Sequence, residues 1–166
     1  MDAAPLLVRV ARLLRKHKLD AILIGNAAAA LQGAPVTTAD IDFLSRATPA
    51  NLKKLKALAG SLEAYILGPY YPASGLYRIA RDEDGLQLDF MTVMDGVRSF
   101  EGLRKRAKTI DVGDARLSVA GLSDIIKSKK AAGRARDLAV LDVLEKALGE
   151  ETRLEKGAAG SSQEGE

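Results

Sequence analysis

Residues 21–44 read AILIGNAAAALQGAPVTTADIDFL, and this stretch contains most of the signals that decide the fold. Its first part, Ala21 to Ile24, is an apolar run that ends at Gly25. Because the run is too short for a helix, it predicts a buried strand. The alanine-rich segment from Asn26 to Gln32 predicts a helix, which a Gly-Ala-Pro sequence ends. A second strand is predicted from Asp40 to Leu44.

The remaining sequence predicts further strands and helices in an order that fits a mixed sheet. Leucines at helical spacing predict a helix over residues 5–18, and Thr48-Pro49 predicts the start of another that runs to about Ala59. Further expected elements are a strand at 64–67, hairpins over 76–91 and 109–119, a short helix near 97–107, and helices at 122–131 and 134–148. The predicted fold class is therefore α+β, a mixed β-sheet flanked by helices with a small C-terminal helical part.

Composition predicts one globular domain over residues 1–148. The chain has 166 residues, of which 47% are hydrophobic and 28% charged, and this is typical of a folded protein. Residues 149–166 are rich in Gly, Ser and Glu and show no apolar face, so we expect a disordered tail there.

The absence of cysteine narrows the chemistry. It excludes disulfides and thiolate metal sites and fits a reducing, cytoplasmic compartment. His17 is the only histidine, so any metal site must use carboxylates, which favours Mg²⁺ or Mn²⁺ over zinc. No apolar stretch approaches the roughly 20 residues of a membrane span, and the N-terminal region does not read as a signal peptide.

Asp40 and Asp42 are the first candidate site. In a strand, residues two apart project from one face, and two like charges held this close are unfavourable unless a cation lies between them. A strand end with two solvated acids explains the pair equally well. Asp89, in the alternating segment Gln87 to Met91, can join the same face if its strand lies beside the first. Three such carboxylates suffice to hold two divalent ions for phosphoryl transfer.

Gly25 and Asn26 are a candidate phosphate contact. They join the first strand to the next helix, where backbone N–H groups and the helix dipole favour an anion. A simple strand-to-helix turn is the alternative. Basic residues cluster at 104–108 and 127–136, and these clusters are either phosphate contacts or solvated helix faces.

Taken together, these residues resemble the polymerase-β-like nucleotidyltransferase superfamily. The Gly25-Asn26 turn, the paired acids of Thr38-Ala39-Asp40-Ile41-Asp42-Phe43 and the later Asp89 follow the order of its signature, although Asn26 stands where Gly or Ser is usual. Lys129, Arg134 and Asp137 resemble the C-terminal motif of bacterial AbiEii-type and related minimal nucleotidyltransferases, whose members include toxins of toxin–antitoxin pairs.

The resemblance implies a role for each matched residue. Asp40, Asp42 and Asp89 would be catalytic and would bind Mg²⁺ or Mn²⁺, and Asp89 would also help activate the attacking hydroxyl. The nucleotide would be bound by Gly25, Asn26, Lys129, Arg134 and Asp137. For the last three residues, an exposed helix pair with local ion pairs is the alternative.

The function implied is transfer of a nucleoside monophosphate from an NTP to an acceptor hydroxyl. The acceptor would be tRNA, a protein or a small molecule, and a toxin acting with an antitoxin partner is a narrower version. The alternative is a non-catalytic module that keeps the fold and binds nucleotide or a partner protein. No residue favours a purely structural role.

Overall fold

A computed structural model of the chain describes residues 3–37, 40–68 and 75–161. Within these ranges the chain forms seven helices and one seven-stranded sheet. Residues 69–74 and the residues Thr38 and Ala39 lie outside the described residues. No helix in the described part is long and apolar enough to cross a bilayer.

The strands form a mixed sheet, as expected, in the order β3-β4-β5-β2-β1-β7-β6. Their bounds are β1 Ala21–Ile24, β2 Ile41–Ser45, β3 Tyr65–Leu67, β4 Leu76–Arg81, β5 Leu86–Met91, β6 Lys108–Val112 and β7 Ala115–Val119. The pairs β1–β7 and β2–β5 are parallel and the other four pairs are antiparallel. The apolar run Ala21–Ile24 is buried throughout, which confirms its prediction as an inner strand.

The helices flank this sheet. They are α1 Ala3–Lys16, α2 Gly25–Leu31, α3 Pro49–Ser61, α4 Phe100–Arg106, α5 Leu122–Ala132, α6 Ala135–Leu138 and α7 Leu141–Ser161. The predicted cap is confirmed, because the Thr48 hydroxyl accepts a hydrogen bond from the Asn51 amide at the start of α3. α1 packs against β6 and β7, whereas α2 packs against β1, β2 and α5.

Two predicted C-terminal features differ from the structure. The helix expected over 134–148 is divided into α6 and α7. α7 continues to Ser161, through the first part of the segment from Gly149 that was expected to be a disordered tail. Good helix formers at 150–156 extend a helix already started by packed residues such as Leu144, and Glu151 forms an ion pair with Lys108. Residues 162–166 lie outside the described part.

The centre of the core is a pair of aromatic rings on adjacent strands. Phe43 and Phe90 are register partners in β2 and β5, and both are fully buried. Their ring centroids are 5.0 Å apart and the planes differ by 12°. Since strand neighbours alternate in direction, this stack holds one face of β2 and β5 while Asp42 and Asp89 project from the other.

We expect Phe43→Leu to lower the free energy of unfolding by ~1–2 kcal/mol, because it removes the stacked ring while nearly keeping apolar volume. Chemical denaturation measures this. Tyr65→Leu is the matched control, since it also removes a strand aromatic but at a position 45% exposed. Equal losses in the two variants would contradict the importance of the stack.

Candidate active site

Two of the three predicted acids lie side by side on neighbouring strands. Asp42 of β2 is the direct register partner of Asp89 of β5. On its other side Asp42 is paired with Ile24, the last residue of β1, so Gly25 begins next to it. Register partners project from the same face of a sheet, and the topology therefore places both carboxylates and the Gly25 turn together.

Asp40 reaches the same place from outside the strand. It was predicted to lie in β2, but the strand begins at Ile41 and Asp40 precedes it as an exposed residue. It nevertheless lines the same pocket as Asp42. The pairing of the two acids in one site therefore holds, although the strand geometry that was expected to cause it does not.

The pocket is an open cavity of about 300 Å³ between the sheet and the C-terminal helices. Its lining contains the Gly25-Asn26 turn, Asp40 and Asp42 together with Lys129, Arg134 and Asp137 of the C-terminal helical part. Seven of the eight residues predicted to form the site thus line one cavity, and Asp89 is the exception. Acids and bases that line one cavity suit a ligand that carries phosphates and a metal ion together.

Asp42 is the most perturbed acid of this pocket. Its pKa is raised from 3.8 to about 6, first by burial and then by the negative charges of Asp89 and Asp40. Lys129 and Arg136 act in the opposite direction. A carboxylate crowded in this way is stabilised by any cation that enters the pocket.

Gly25 lets the backbone approach that carboxylate. Its φ is +67°, a conformation that favours glycine, and an added Cβ would lie 3.3 Å from Asp42 Oδ2. Asn26, beside it on the pocket wall, has a buried Oδ1 with no hydrogen-bond partner among the described residues. An unsatisfied polar atom at the edge of an acidic pocket is the kind of group that a bound ligand completes.

Asp137 holds the basic side of the pocket together. It is 4% exposed, accepts a hydrogen bond from Arg134 Nε at 2.6 Å, and pairs with Lys129 Nζ at 3.6 Å. Burial alone would raise the pKa of Asp137, but the hydrogen bond from Arg134 and the charges of Arg134 and Lys129 lower it overall. Asp137 therefore stays ionised and orients the two cations.

Arg136 was missed as a site residue by sequence reasoning. It lines the pocket and forms no ion pair within the described ranges, whereas Lys129 and Arg134 both pair with Asp137. Its charge also lowers the pKa of Asp42 across the cavity. The sequence signal was the basic cluster at 127–136, which does not tell which of its members faces the pocket.

Asp89 lies beside Asp42 but behind the pocket wall. It is 7% exposed and both of its oxygens accept hydrogen bonds from Arg78. Across the described part of the chain, no three acidic or histidine side chains converge to hold a metal ion. The residues present fit one Mg²⁺ held by Asp40 and Asp42, because Mg²⁺ commonly takes one or two carboxylates together with substrate phosphates.

Comparison with known proteins identifies the architecture. No protein-family model matches the sequence, and a search of curated protein sequences finds no significant match. Solved structures do match. Antibiotic-resistance factor ANT(2'')-Ia superimposes with a TM-score of 0.63 at 14% identity, over 98% of this chain and 94% of that chain. The chain has the nucleotidyltransferase fold.

Two other structures share this nucleotidyltransferase fold. The lincosamide antibiotic adenylyltransferase LnuA, solved with lincomycin, matches with a TM-score of 0.62 at 13% identity, over 85% of this chain and 95% of that chain. A Thermotoga maritima protein assigned as a nucleotidyltransferase matches with a TM-score of 0.55 at 18% identity, over 88% and 92% of the two chains. The predicted fold class is confirmed, and the likeness to AbiEii-type enzymes stays a prediction.

We expect Asp42→Asn to stabilise the metal-free protein at pH 7.5. A folded-state pKa of about 6 against the ordinary 3.8 means that wild-type stability falls as pH rises through this window. The difference corresponds to about 3 kcal/mol, which screening at this partly exposed site reduces to ~1–2 kcal/mol.

Urea denaturation in EDTA between pH 3.5 and 8 measures this effect. The gain from Asp42→Asn should disappear near pH 4 and be complete above about pH 6.5. Asp111→Asn, at an exposed acid of β6, is the control and should change stability by less than ~0.5 kcal/mol. A variant less stable than wild type at pH 7.5 would contradict the crowding of carboxylates at Asp42.

Proposed function

We propose that this chain is a divalent-metal-dependent nucleotidyltransferase that moves a nucleoside monophosphate from an NTP to an acceptor hydroxyl. The observation that carries the proposal is the pocket itself, which is lined by Asp40 and Asp42 together with Lys129, Arg134 and Arg136. The nucleotidyltransferase fold supports it. Phosphoryl transfer needs positioning and charge neutralisation more than covalent help from side chains, and this pocket supplies both kinds of group.

Each wall of the pocket has a part in the proposed reaction. Asp40 and Asp42 would hold a Mg²⁺ or Mn²⁺ ion, which supplies Lewis-acid neutralisation of phosphate charge when bound. Lys129, oriented by Asp137, and Arg136 would contact the phosphates from the C-terminal helical part. Gly25, whose backbone lies close to Asp42, would allow the backbone to approach the phosphates as well.

The transfer exchanges one phosphorus–oxygen bond for another. The acceptor oxygen forms a bond to the α-phosphorus, the bond from that phosphorus to the bridging oxygen breaks, and pyrophosphate leaves. The proton of the hydroxyl leaves through water in the open pocket, because Asp89, which was predicted to help activate the hydroxyl, is hydrogen-bonded to Arg78.

A small hydroxylated molecule is our first choice of acceptor. ANT(2'')-Ia has been solved with adenylyl-2''-tobramycin and LnuA with lincomycin, so two proteins of similar fold bind compounds of this size. The pocket opens to solvent beside Val93 and Asp95, an exposed apolar and an exposed acidic side chain that an acceptor can contact. A tRNA end, a protein hydroxyl and a toxin role with an antitoxin partner are the other versions to be tested.

A non-catalytic nucleotide-binding module is the second candidate function. The observation that favours it is the pairing of Asp89 with Arg78, which leaves only two of the three predicted metal-binding acids, Asp40 and Asp42, on the pocket lining. Such a module would bind an NTP with metal but transfer nothing to any acceptor.

We expect wild-type protein with Mg²⁺ or Mn²⁺ to transfer label from at least one [α-³²P]NTP to an acceptor, and Asp40→Asn/Asp42→Asn to lose at least 10³-fold of this activity. The acceptor panel contains hydroxylated antibiotics, total tRNA and cell-extract protein. The matched control is Asp82→Asn/Asp84→Asn, an acidic pair of the same spacing in the β4–β5 turn. NTP binding without transfer to any acceptor would favour the module, and absence of binding would contradict both functions.

We expect Arg136→Ala to weaken binding of a non-hydrolysable NTP analogue about tenfold, because one charge-assisted contact to phosphate is lost. Calorimetric titration in Mg²⁺ measures the Kd. Arg98→Ala is the control, since Arg98 is also exposed and forms no ion pair in the described part of the chain, but does not line the pocket. Equal Kd values for the two variants would show that Arg136 does not contact the nucleotide.

A further inference from the structure

Arg78 extends the row of acids across the sheet. It lies on β4 directly opposite Asp89 of β5, which is in turn directly opposite Asp42 of β2. Three register partners on three adjacent strands project from the same face. From β4 toward β2 and the pocket, the charges of the row are therefore positive, negative and negative.

The contact between Arg78 and Asp89 is a two-point one. Arg78 Nε donates to Asp89 Oδ1 at 2.8 Å and Nη2 donates to Oδ2 at 3.2 Å. Gln87 Nε2 lies 3.4 Å from the same Oδ2. This fork geometry is the strongest arrangement between a guanidinium and a carboxylate, and it uses both oxygens of Asp89.

The charge of Arg78 acts on the whole acidic cluster. Its hydrogen bond with Asp89 raises the pKa of Arg78, burial opposes this, and the charges of Asp89, Asp40 and Asp42 raise it again. An arginine is protonated at every working pH, so this cation is permanent. It supplies the positive charge beside Asp89 that a second divalent ion would otherwise have to supply.

The remaining donors are those of a site for one ion. Asp89 is buried and absent from the pocket wall, while Asp40 and Asp42 line it. The convergence of three acids that a two-ion site needs is not found among the described residues. The two pocket carboxylates with substrate phosphates provide the kind of donor set that Mg²⁺ takes.

We propose that Arg78 is a built-in cation that occupies the place of a second divalent ion, so that the pocket binds nucleotide with one metal ion per chain. This inference rests on the proposed function. Arg78 is accordingly a positioning residue, since it contacts Asp89 and acts on the pocket through that carboxylate. Its removal should release Asp89 as a ligand for an additional ion.

The test counts Mn²⁺ ions by electron paramagnetic resonance of the full chain saturated with a non-hydrolysable NTP analogue. We expect about one bound Mn²⁺ per chain for wild type. We expect about two for Arg78→Gln, because the freed carboxylate of Asp89 then lies beside Asp42 without a counter-ion. Arg78→Lys keeps a positive charge and should remain near one.

Arg116→Gln is the matched control. Arg116 of β7 also pairs with an aspartate directly opposite on the neighbouring strand, Asp111 of β6, but this pair is exposed and away from the pocket. Its Mn²⁺ count should equal that of wild type. A rise in this control would show that the extra ion binds nonspecifically, and would overturn the assignment of any rise in Arg78→Gln to Asp89.

Arg78→Gln leaves the buried carboxylate of Asp89 unpaired and could for this reason fail to fold. A second variant keeps the test decisive in that case. Arg78→Gln/Asp89→Asn removes both charges and should still bind about one Mn²⁺ with nucleotide. Two ions in wild type, falling to one in this double variant, would overturn the proposal and make Asp89 a ligand. Two ions in wild type with normal transfer would overturn this inference alone, whereas failure of every variant and of wild type to bind nucleotide would overturn the proposed function as well.

Discussion

The parallel register of β2 and β5 puts two carboxylates next to each other, and their negative charges repel. The rest of the site is arranged around this repulsion. Asp42 and Asp89 are direct partners on inner strands, where neither can move away without breaking the sheet. The protein deals with the two charges differently. Asp89 is buried and neutralised by Arg78, while Asp42 keeps a raised pKa and faces the pocket. The unfavourable charge therefore remains at an acid that lines the pocket and that a bound cation can neutralise.

The pocket-lining cations are Lys129, Arg134 and Arg136, and two of them pair with an acid other than Asp42. A cation that formed an ion pair with Asp42 would neutralise this carboxylate and so weaken its binding of a metal ion. Instead Asp137, an acid buried among the C-terminal helices, draws Lys129 and Arg134 to itself. Only Arg136 of these pocket-lining cations is without an ion pair in the described ranges. The pocket lining thus contains both carboxylates and cations, which together suit a metal–phosphate complex.

Much of this could be predicted from sequence, because it depends on local patterns. An apolar run before Gly25, acids at alternate positions and alternating hairpin strands indicate which residues form strands and which faces they share. The grouping of Asp42 with Asp89 followed from those patterns once the two strands were assumed to be adjacent. The approach of Lys129 followed from the resemblance, since no local pattern brings residues so distant in sequence together.

The features that were missed depend on register and on tertiary packing. Which residue of β4 opposes Asp89 is set by the β4–β5 turn, and a slip of one residue would put Tyr77 or Ile79 there in place of Arg78. Asp40 enters the site from a segment outside the strand, which a two-residue period cannot describe. The helix beyond Gly149 was not predicted because the Gly and Ser content of this segment indicates disorder. The segment also contains good helix formers.

The position of β7 has a consequence for how the molecule assembles. β1 is completed early in the chain, yet one of its two sheet neighbours is β7, with Ile22 opposite Ser118. To form that pair, the two ends of a very long chain segment must meet. The entropy cost of this closure slows folding, and the long sequence separation raises the contact order of the fold. The helices that carry Lys129 and Arg136 follow β7 in the chain. During synthesis the acidic wall can therefore form first, and the pocket gains its second wall only when the C-terminal segment docks.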